Sequence, residues 1–269
     1  MKGFSGKAIV ITGASEGIGA ELARQIAAPE VSLALAARNE AKLQSVKEQC
    51  EARGARAVAV RCDVSVEQDC RDLAARAVQA FGGIDILVNN AGVSGHAFFE
   101  EVSDFSWYEQ MMRVNFFGSL WCTRYALPHL KARRGLVVGV SSLAGKHGVP
   151  GRTAYSPSKF AQAGFLEALR AELLGTGVDV TVVFPGVVAT GIRVHGFGAD
   201  GNAAGKSGLK EENAMPVEEC ARRIAAAMAA RRRELVMTAQ GRIGMWLKMI
   251  APRVVDRMAL AALRRTERP

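Results

Sequence analysis

The chain has 269 residues, of which 49% are hydrophobic and 23% charged, a balance that belongs to a globular protein and excludes a disordered or fibrous one. No apolar run approaches the ~18–20 residues of a membrane-spanning helix, and the opening MKGFSGKAIVITG has neither the long apolar stretch nor the cleavage site of a secretory signal. The net charge of +9 gathers at one end: residues 222–269 hold 12 basic residues against 3 acidic ones, so the basicity belongs to the tail and not to the fold.

Seven apolar runs read as strands, at 8–12, 31–37, 57–62, 84–89, 135–141, 178–184 and 234–238. They are continuous and do not alternate, as in strands covered on both faces. Helical patterns near 17–28, 39–53, 66–81, 104–133, 154–175 and 217–232 separate them. Such repetition with short connections builds right-handed βαβ units. It predicts an α/β fold: a Rossmann-type, doubly wound, seven-stranded, mostly parallel sheet with helices on both faces. Residues 1–240 are expected to form one domain, and 241–269 a basic amphipathic extension of two short helices split by Pro252. The Gly-rich, polar stretch 191–214 is longer than most ordered connections and reads as a lid or a disordered loop.

The first strand runs into Thr12-Gly13-Ala14-Ser15-Glu16-Gly17-Ile18-Gly19, where a helix begins. Gly13 permits a tight turn, Gly17 lets backbone approach a diphosphate, and Gly19 allows close helix–strand packing. Free N–H groups and the helix dipole then favour an anion. At the end of the second strand stands Ala37-Arg38. A carboxylate there would hold ribose hydroxyls and repel a 2′-phosphate, whereas a guanidinium binds it, so NADP(H) is expected over NAD(H). Tyr155 and Lys159, four residues apart at the start of a helix, share one face. A nearby ammonium favours the phenolate, which makes Tyr155 a workable proton donor and acceptor for a carbonyl/alcohol pair. Ser142 ends the fifth strand, where its hydroxyl can polarise a substrate oxygen.

The GxxxGxG spacing, Asn89-Asn90-Ala91-Gly92, Tyr155-Ser156-Pro157-Ser158-Lys159 and Pro185-Gly186 together resemble the short-chain dehydrogenase/reductase family over about residues 5–238. The resemblance implies catalytic roles for Ser142, Tyr155, Lys159 and Asn115, with Asn115 anchoring a water of the proton relay and Lys159 also holding the nicotinamide ribose. It implies cofactor contacts from Gly13, Ser15, Glu16, Gly17, Ile18 and Gly19, and from Arg38. Asp63 (facing the adenine), Val64, Asn89, Ala91 and Gly92 follow, as do Pro185, Gly186, and Val188 and Thr190 at the carboxamide. Read from the residues alone, Asp63 is equally an N-cap for the next helix. Glu16 stands where many NADP-dependent members carry a basic residue, which leaves Arg38 alone for the phosphate, and Pro29-Glu30 replaces the family's frequent Gly before the second strand. His147 and His195 border the expected substrate side as surface or shaping residues.

Five cysteines, at 50, 62, 70, 122 and 220, form no CxxC, which predicts free thiols and a reducing cytoplasm. No His/Cys/Asp cluster has metal-ligand spacing, so no metal is expected. The tail has three readings. Ile243, Met245, Trp246, Leu247, Met249 and Ile250 beside Arg242 and Lys248 pack on the core or a partner subunit, lie in a membrane interface, or give way to nucleic-acid binding, for which no motif speaks. The extended tail and Ser141-Ser142-Leu143-Ala144-Gly145-Lys146 resemble hydroxysteroid-dehydrogenase-like members, which implies a lipophilic carbonyl or alcohol substrate. Family habit implies a homodimer or homotetramer through the helices near 104–133 and 154–175. The rival class is a non-catalytic dinucleotide sensor or membrane-associated scaffold on the same fold.

Overall fold

Ile9, Ile11, Leu33 and Leu35 turn to one side of their strands and Val10, Ala34 and Ala36 to the other, and both sets are buried. Strands of this kind must be covered on both faces. The computed structural model, which describes residues 3–205 and 214–266, meets that demand. The strands are β1 (Ala8–Thr12), β2 (Ser32–Ala37), β3 (Arg56–Arg61), β4 (Ile86–Asn89), β5 (Leu136–Val140), β6 (Asp179–Phe184) and β7 (Glu234–Val236). Their order is β3-β2-β1-β4-β5-β6-β7. Every pairing is parallel, so the sheet is wholly and not merely mostly parallel.

Helices α1 (Gly17–Ile26), α2 (Glu40–Glu51) and α7 (Val217–Ala229) close one face through residues such as Leu22, Leu43 and Ile224. Helices α3 (Glu67–Phe81), α5 (Gly118–Arg133) and α6 (Tyr155–Glu172) close the other through Leu73, Leu130 and Leu166. The single helix expected over 104–133 is instead α4 (Ser106–Met112), a π-turn over Arg113–Phe117, and α5. The wider turn holds the fully buried Asn115, whose amide needs partners that a regular helix interior would not supply. Strand order reverses between β1 and β4, which opens a crevice beyond their carboxyl ends.

Two helices follow β7, α8 (Ala239–Ile250) and α9 (Pro252–Thr266). Pro252 takes the first helical position, where a missing N–H costs nothing. Of the long loop, residues 191–205 are docked: Phe197 stacks on the buried Trp107 at 5.7 Å and bridges to Gly95. Of the rest of that stretch, expected as a lid or a disordered loop, 206–213 lies outside the described residues. Among those residues no helix is long and apolar enough to cross a membrane.

The opposite end of the sheet is clamped by Asp85, which is 5% exposed. Its carboxylate accepts from the Ala8 amide at 2.9 Å, Arg133 Nη1 at 3.0 Å and Lys7 Nζ at 3.3 Å, and so ties β1, β4 and α5 together. Replacing Asp85 with Ala leaves donors unpaired and is expected to lower stability in urea unfolding by about 2–3 kcal/mol. Because the clamp lies at the far end of the strands, cofactor affinity should be retained.

Candidate active site

The crevice is a cavity of about 710 Å³. Its floor begins where β1 ends. Gly13 has φ +65°, and a Cβ there would fall 2.8 Å from the Ala91 Cα. A Cβ on Gly19 would lie 2.3 Å from the Gly13 carbonyl oxygen, so Gly19 stands behind the wall and lets α1 press on the turn. Gly13, Ser15, Glu16, Gly17 and Ile18 line the cavity. At the N-cap of α1, Glu16 makes no side-chain cap, which leaves the first N–H groups of the helix open to an anion.

One end of the cavity is lined by Arg38, Asn39, Lys42, Asp63 and Val64. Lys42 lies in the first turn of α2, four residues after Arg38, and its ammonium sits 2.7 Å from the Glu16 carboxylate. Asp63 is not the cap of α3, whose N-cap position is Val66. Its carboxylate instead accepts from the amide and hydroxyl of Ser65, at 2.9 and 2.7 Å. Behind the middle of the cavity, Asn89 is 1% exposed and donates to the Thr123 hydroxyl at 2.9 Å, so it lies under the wall expected to carry it. The neighbouring Asn90 lines the cavity in its place and ties Thr12 and Gly13 to the β4 end.

The other end gathers Ala91, Gly92, Ser142, Tyr155, Lys159, Pro185, Gly186, Val188 and Thr190. Ser142 is extended, caps the turn Leu143–Gly145, and accepts from the Ala144 amide at 3.2 Å. Helix α6 reaches this end because β5 carries no side chain beneath it: a Cβ on Gly139 would fall 2.1 Å from Leu166 Cδ1. The Ser141 hydroxyl completes the contact by donating to the Lys159 carbonyl at 3.0 Å. Asn115 lies behind the wall. Its amide accepts from the Val93 N–H at 2.8 Å and donates to the Val93 carbonyl and the Ser158 hydroxyl, each at 2.9 Å.

The electrostatics differ from the arrangement expected around Tyr155. Lys159 is 3% exposed and donates to the Val140 carbonyl at 3.0 Å, and burial brings its pKa down to about 8. Arg152 and Arg193 favour the phenolate at Tyr155, and the Lys159 ammonium is held on the Val140 carbonyl. Burial opposes them and leaves the phenol above its usual range, while a hydrogen bond from Ser142 also favours the anion. Arg152, Arg193, Ser94 and Lys42 line the cavity without having been singled out in the sequence. For Lys42 the signal was present, a second basic residue four positions after Arg38. The other three come from loops whose spacing carries no pattern.

His195 lines the cavity mouth, 3.9 Å from Glu16. His147 lies off the cavity, where burial and then Lys248 hold its pKa below the usual imidazole range. Cys62 also lines the cavity, but the neighbouring Cys70 and burial push its thiol up, away from the reactive thiolate. Among the described residues no His/Cys/Asp/Glu group could hold a metal ion.

Gly139→Ala forces Leu166, and with it α6, off β5. Small misplacements of reacting groups are costly, so turnover is expected to fall by about tenfold to a hundredfold. Cofactor affinity, measured by fluorescence titration, should change far less. Adding Leu166→Ala should restore part of the rate by vacating the clash.

Comparison with known proteins places this geometry. The short chain dehydrogenase family profile matches residues 7–197. An 11-beta-hydroxysteroid dehydrogenase-like 4A of Arabidopsis thaliana is 43% identical over 188 residues, which is 70% of this chain and 62% of the relative. The chain thus matches about three fifths of that relative's length. An 11-beta-hydroxysteroid dehydrogenase A of Sesamum indicum is 35% identical over 94% of this chain and 74% of its own. Among solved structures, a short chain dehydrogenase/reductase from Burkholderia phymatum in complex with NAD superposes with a TM-score of 0.82 at 27% identity, over 94% of this chain and 96% of that one. An alcohol dehydrogenase from the archaeon Thermococcus sibiricus complexed with 5-hydroxy-NADP gives 0.75 at 26% identity, over 86% and 95%.

Proposed function

We propose that this chain, which belongs to the short-chain dehydrogenase family, is an NADP(H)-dependent oxidoreductase that interconverts a largely apolar ketone or aldehyde and the corresponding alcohol, with Tyr155 as the general acid and base. The observation that supports it best is the convergence of Ser142, Tyr155 and Lys159 on one wall of a cavity whose far wall is the glycine turn. When bound there, the nicotinamide supplies or accepts the hydride. Ser142 holds and polarises the substrate oxygen, and Tyr155 gives that oxygen a proton or removes it. Lys159 and the Asn115 segment, joined through the bare Gly92, form the inner side of the proton path. Val93, Leu143, Val149 and Ile192 supply the apolar surface for the body of the substrate.

Arg38 and Lys42 together support a 2′-phosphate, and Ala37 offers no carboxylate for a ribose diol. Five buried free thiols fit a reducing cytoplasm. Phe116, Phe117 and Trp121 cluster on the start of α5, with Phe165 of α6 against Phe116, and Phe117 is 38% exposed; this supports a homo-oligomer formed on those helices. Helices α8 and α9 expose Ile243, Trp246, Met249, Ile250, Val254 and Met258 beside Arg242, Lys248, Arg253 and Arg257, which supports peripheral contact with an anionic membrane.

Tyr155→Phe is expected to lower turnover by about a hundredfold or more while NADPH still binds; full turnover by the variant would end the mechanism and favour another acid. Reduction needs the protonated phenol, so its kcat/KM should decline as pH rises through the Tyr155 pKa, and oxidation should rise over the same range. Arg38→Asp should move the NADP/NAD ratio of kcat/KM toward NAD by about tenfold or more, read from steady-state rates with the two cofactors.

A further inference from the structure

Arg152 sits in the turn that leads into α6 and is 7% exposed. Its backbone is fixed: its amide donates to the Val149 carbonyl at 3.1 Å, and its carbonyl accepts from the Ser156 amide at 2.8 Å. The side chain lines the catalytic end of the cavity, with the guanidinium carbon 5.4 Å from the centre of the Tyr155 ring. A guanidinium carries five N–H donors. Here one of them, on Nη1, reaches the neutral hydroxyl of Ser94 at 2.7 Å. Among the described residues no carboxylate forms an ion pair with Arg152. Arg152 also borders a second groove, shared with Val149, Phe160, Asp256 and Leu260, where Asp256 forms no ion pair with it, and Glu16, at the cavity mouth, is engaged by Lys42.

A buried cation without a counter-charge is costly, and an apolar side chain of similar volume would be more stable at such a site. Its position beside the acid/base residue, with Arg193 lining the same end, gives the cost a use. We propose that the substrate carries a carboxylate a few bonds from its reacting carbon, and that Arg152 binds this group while Ser142 and Tyr155 hold the carbonyl or hydroxyl oxygen. The planar fork of the guanidinium matches a carboxylate through two parallel hydrogen bonds. Ser94 fixes one arm of the fork through Nη1, and the apolar wall receives the remainder of the molecule. This inference rests on the oxidoreductase reading and narrows its substrate to an oxo acid or hydroxy acid with an apolar body.

The test compares acids with their neutral esters on the full chain with NADPH: 4-formylbenzoate against its methyl ester, and 4-oxopentanoate against its methyl ester. The acid of each pair is expected to show a kcat/KM higher by about tenfold or more, the worth of a charge-assisted pair. Arg152→Gln should bring the ratio near one, and Arg152→Lys, which keeps the charge without the fork, should retain part of it. Binding of the same acids and esters to Tyr155→Phe, followed by quenching of NADPH fluorescence, reads the anion site without turnover. Equal rates for acid and ester in the unaltered protein overturn the proposal. A preference that persists in Arg152→Gln overturns it too, and a loss shared equally by acid and ester would make Arg152 a positioning residue for the phenol. Acids that bind through Arg152 but are never reduced uphold the anion site and defeat the oxidoreductase reading; esters and acids reduced alike do the reverse.

Discussion

The contact between α6 and β5 is the constraint on which the catalytic end of the molecule depends. Helix α6 carries both Tyr155 and Lys159, and Ser142 follows β5 by two residues. Their mutual placement is therefore the placement of one helix on one strand. Gly139 removes the side chain that would hold them apart, Leu166 fills the space it leaves, and the Ser141 hydroxyl grips the Lys159 carbonyl. Close packing has little slack, so a single methyl group at this contact reaches Ser142, Tyr155 and Lys159 without touching them. The glycine turn at the other end works by the same means, with Gly19 allowing α1 to lie against the Gly13 carbonyl.

A second theme is the burial of basic side chains at the Tyr155 end of the cavity. Lys159 and Arg152 are each less than one tenth exposed, and Arg193 lines the same region. Arg152 and Arg193 favour the anionic form of Tyr155. Burial works against them by penalising every ion, and this is why Lys159 is shifted down to about 8 while Tyr155 lies above its usual range. At Tyr155 burial prevails, which favours the protonated phenol.

The parts of the chain that surround this end are joined to it by aromatic contacts. Phe197 of the Gly-rich segment stacks on Trp107, beside Ala97 and Met111, and so brings Ile192, Arg193 and His195 to the cavity wall. At the other side, Gly241 packs on Leu143, and Lys248 approaches both Phe160 and the Lys146 carbonyl, so α8 leans on the turn that Ser142 caps. The tail is thus attached to the site through one edge while its apolar stripe faces outward.

Much of this was legible beforehand, for identifiable reasons. Continuous apolar strands between helical patterns determined the doubly wound class, because only strands covered on both faces can lack polar alternation. The glycine turn, Ala37-Arg38, Ser142 and the Tyr155/Lys159 pair are local in sequence, and their place at one cavity could be expected from type and spacing. Tertiary structure decided what depends on contacts between distant segments. The buried Asn115 amide lies in a π-turn and not in a regular helix; Asn90 lines the cavity while Asn89 faces Thr123; and Lys159 is drawn to the Val140 carbonyl while Arg152 comes to lie against the phenol ring. Burial and long-range hydrogen bonding set those outcomes, and neither leaves a periodic mark on the order of residues along the chain.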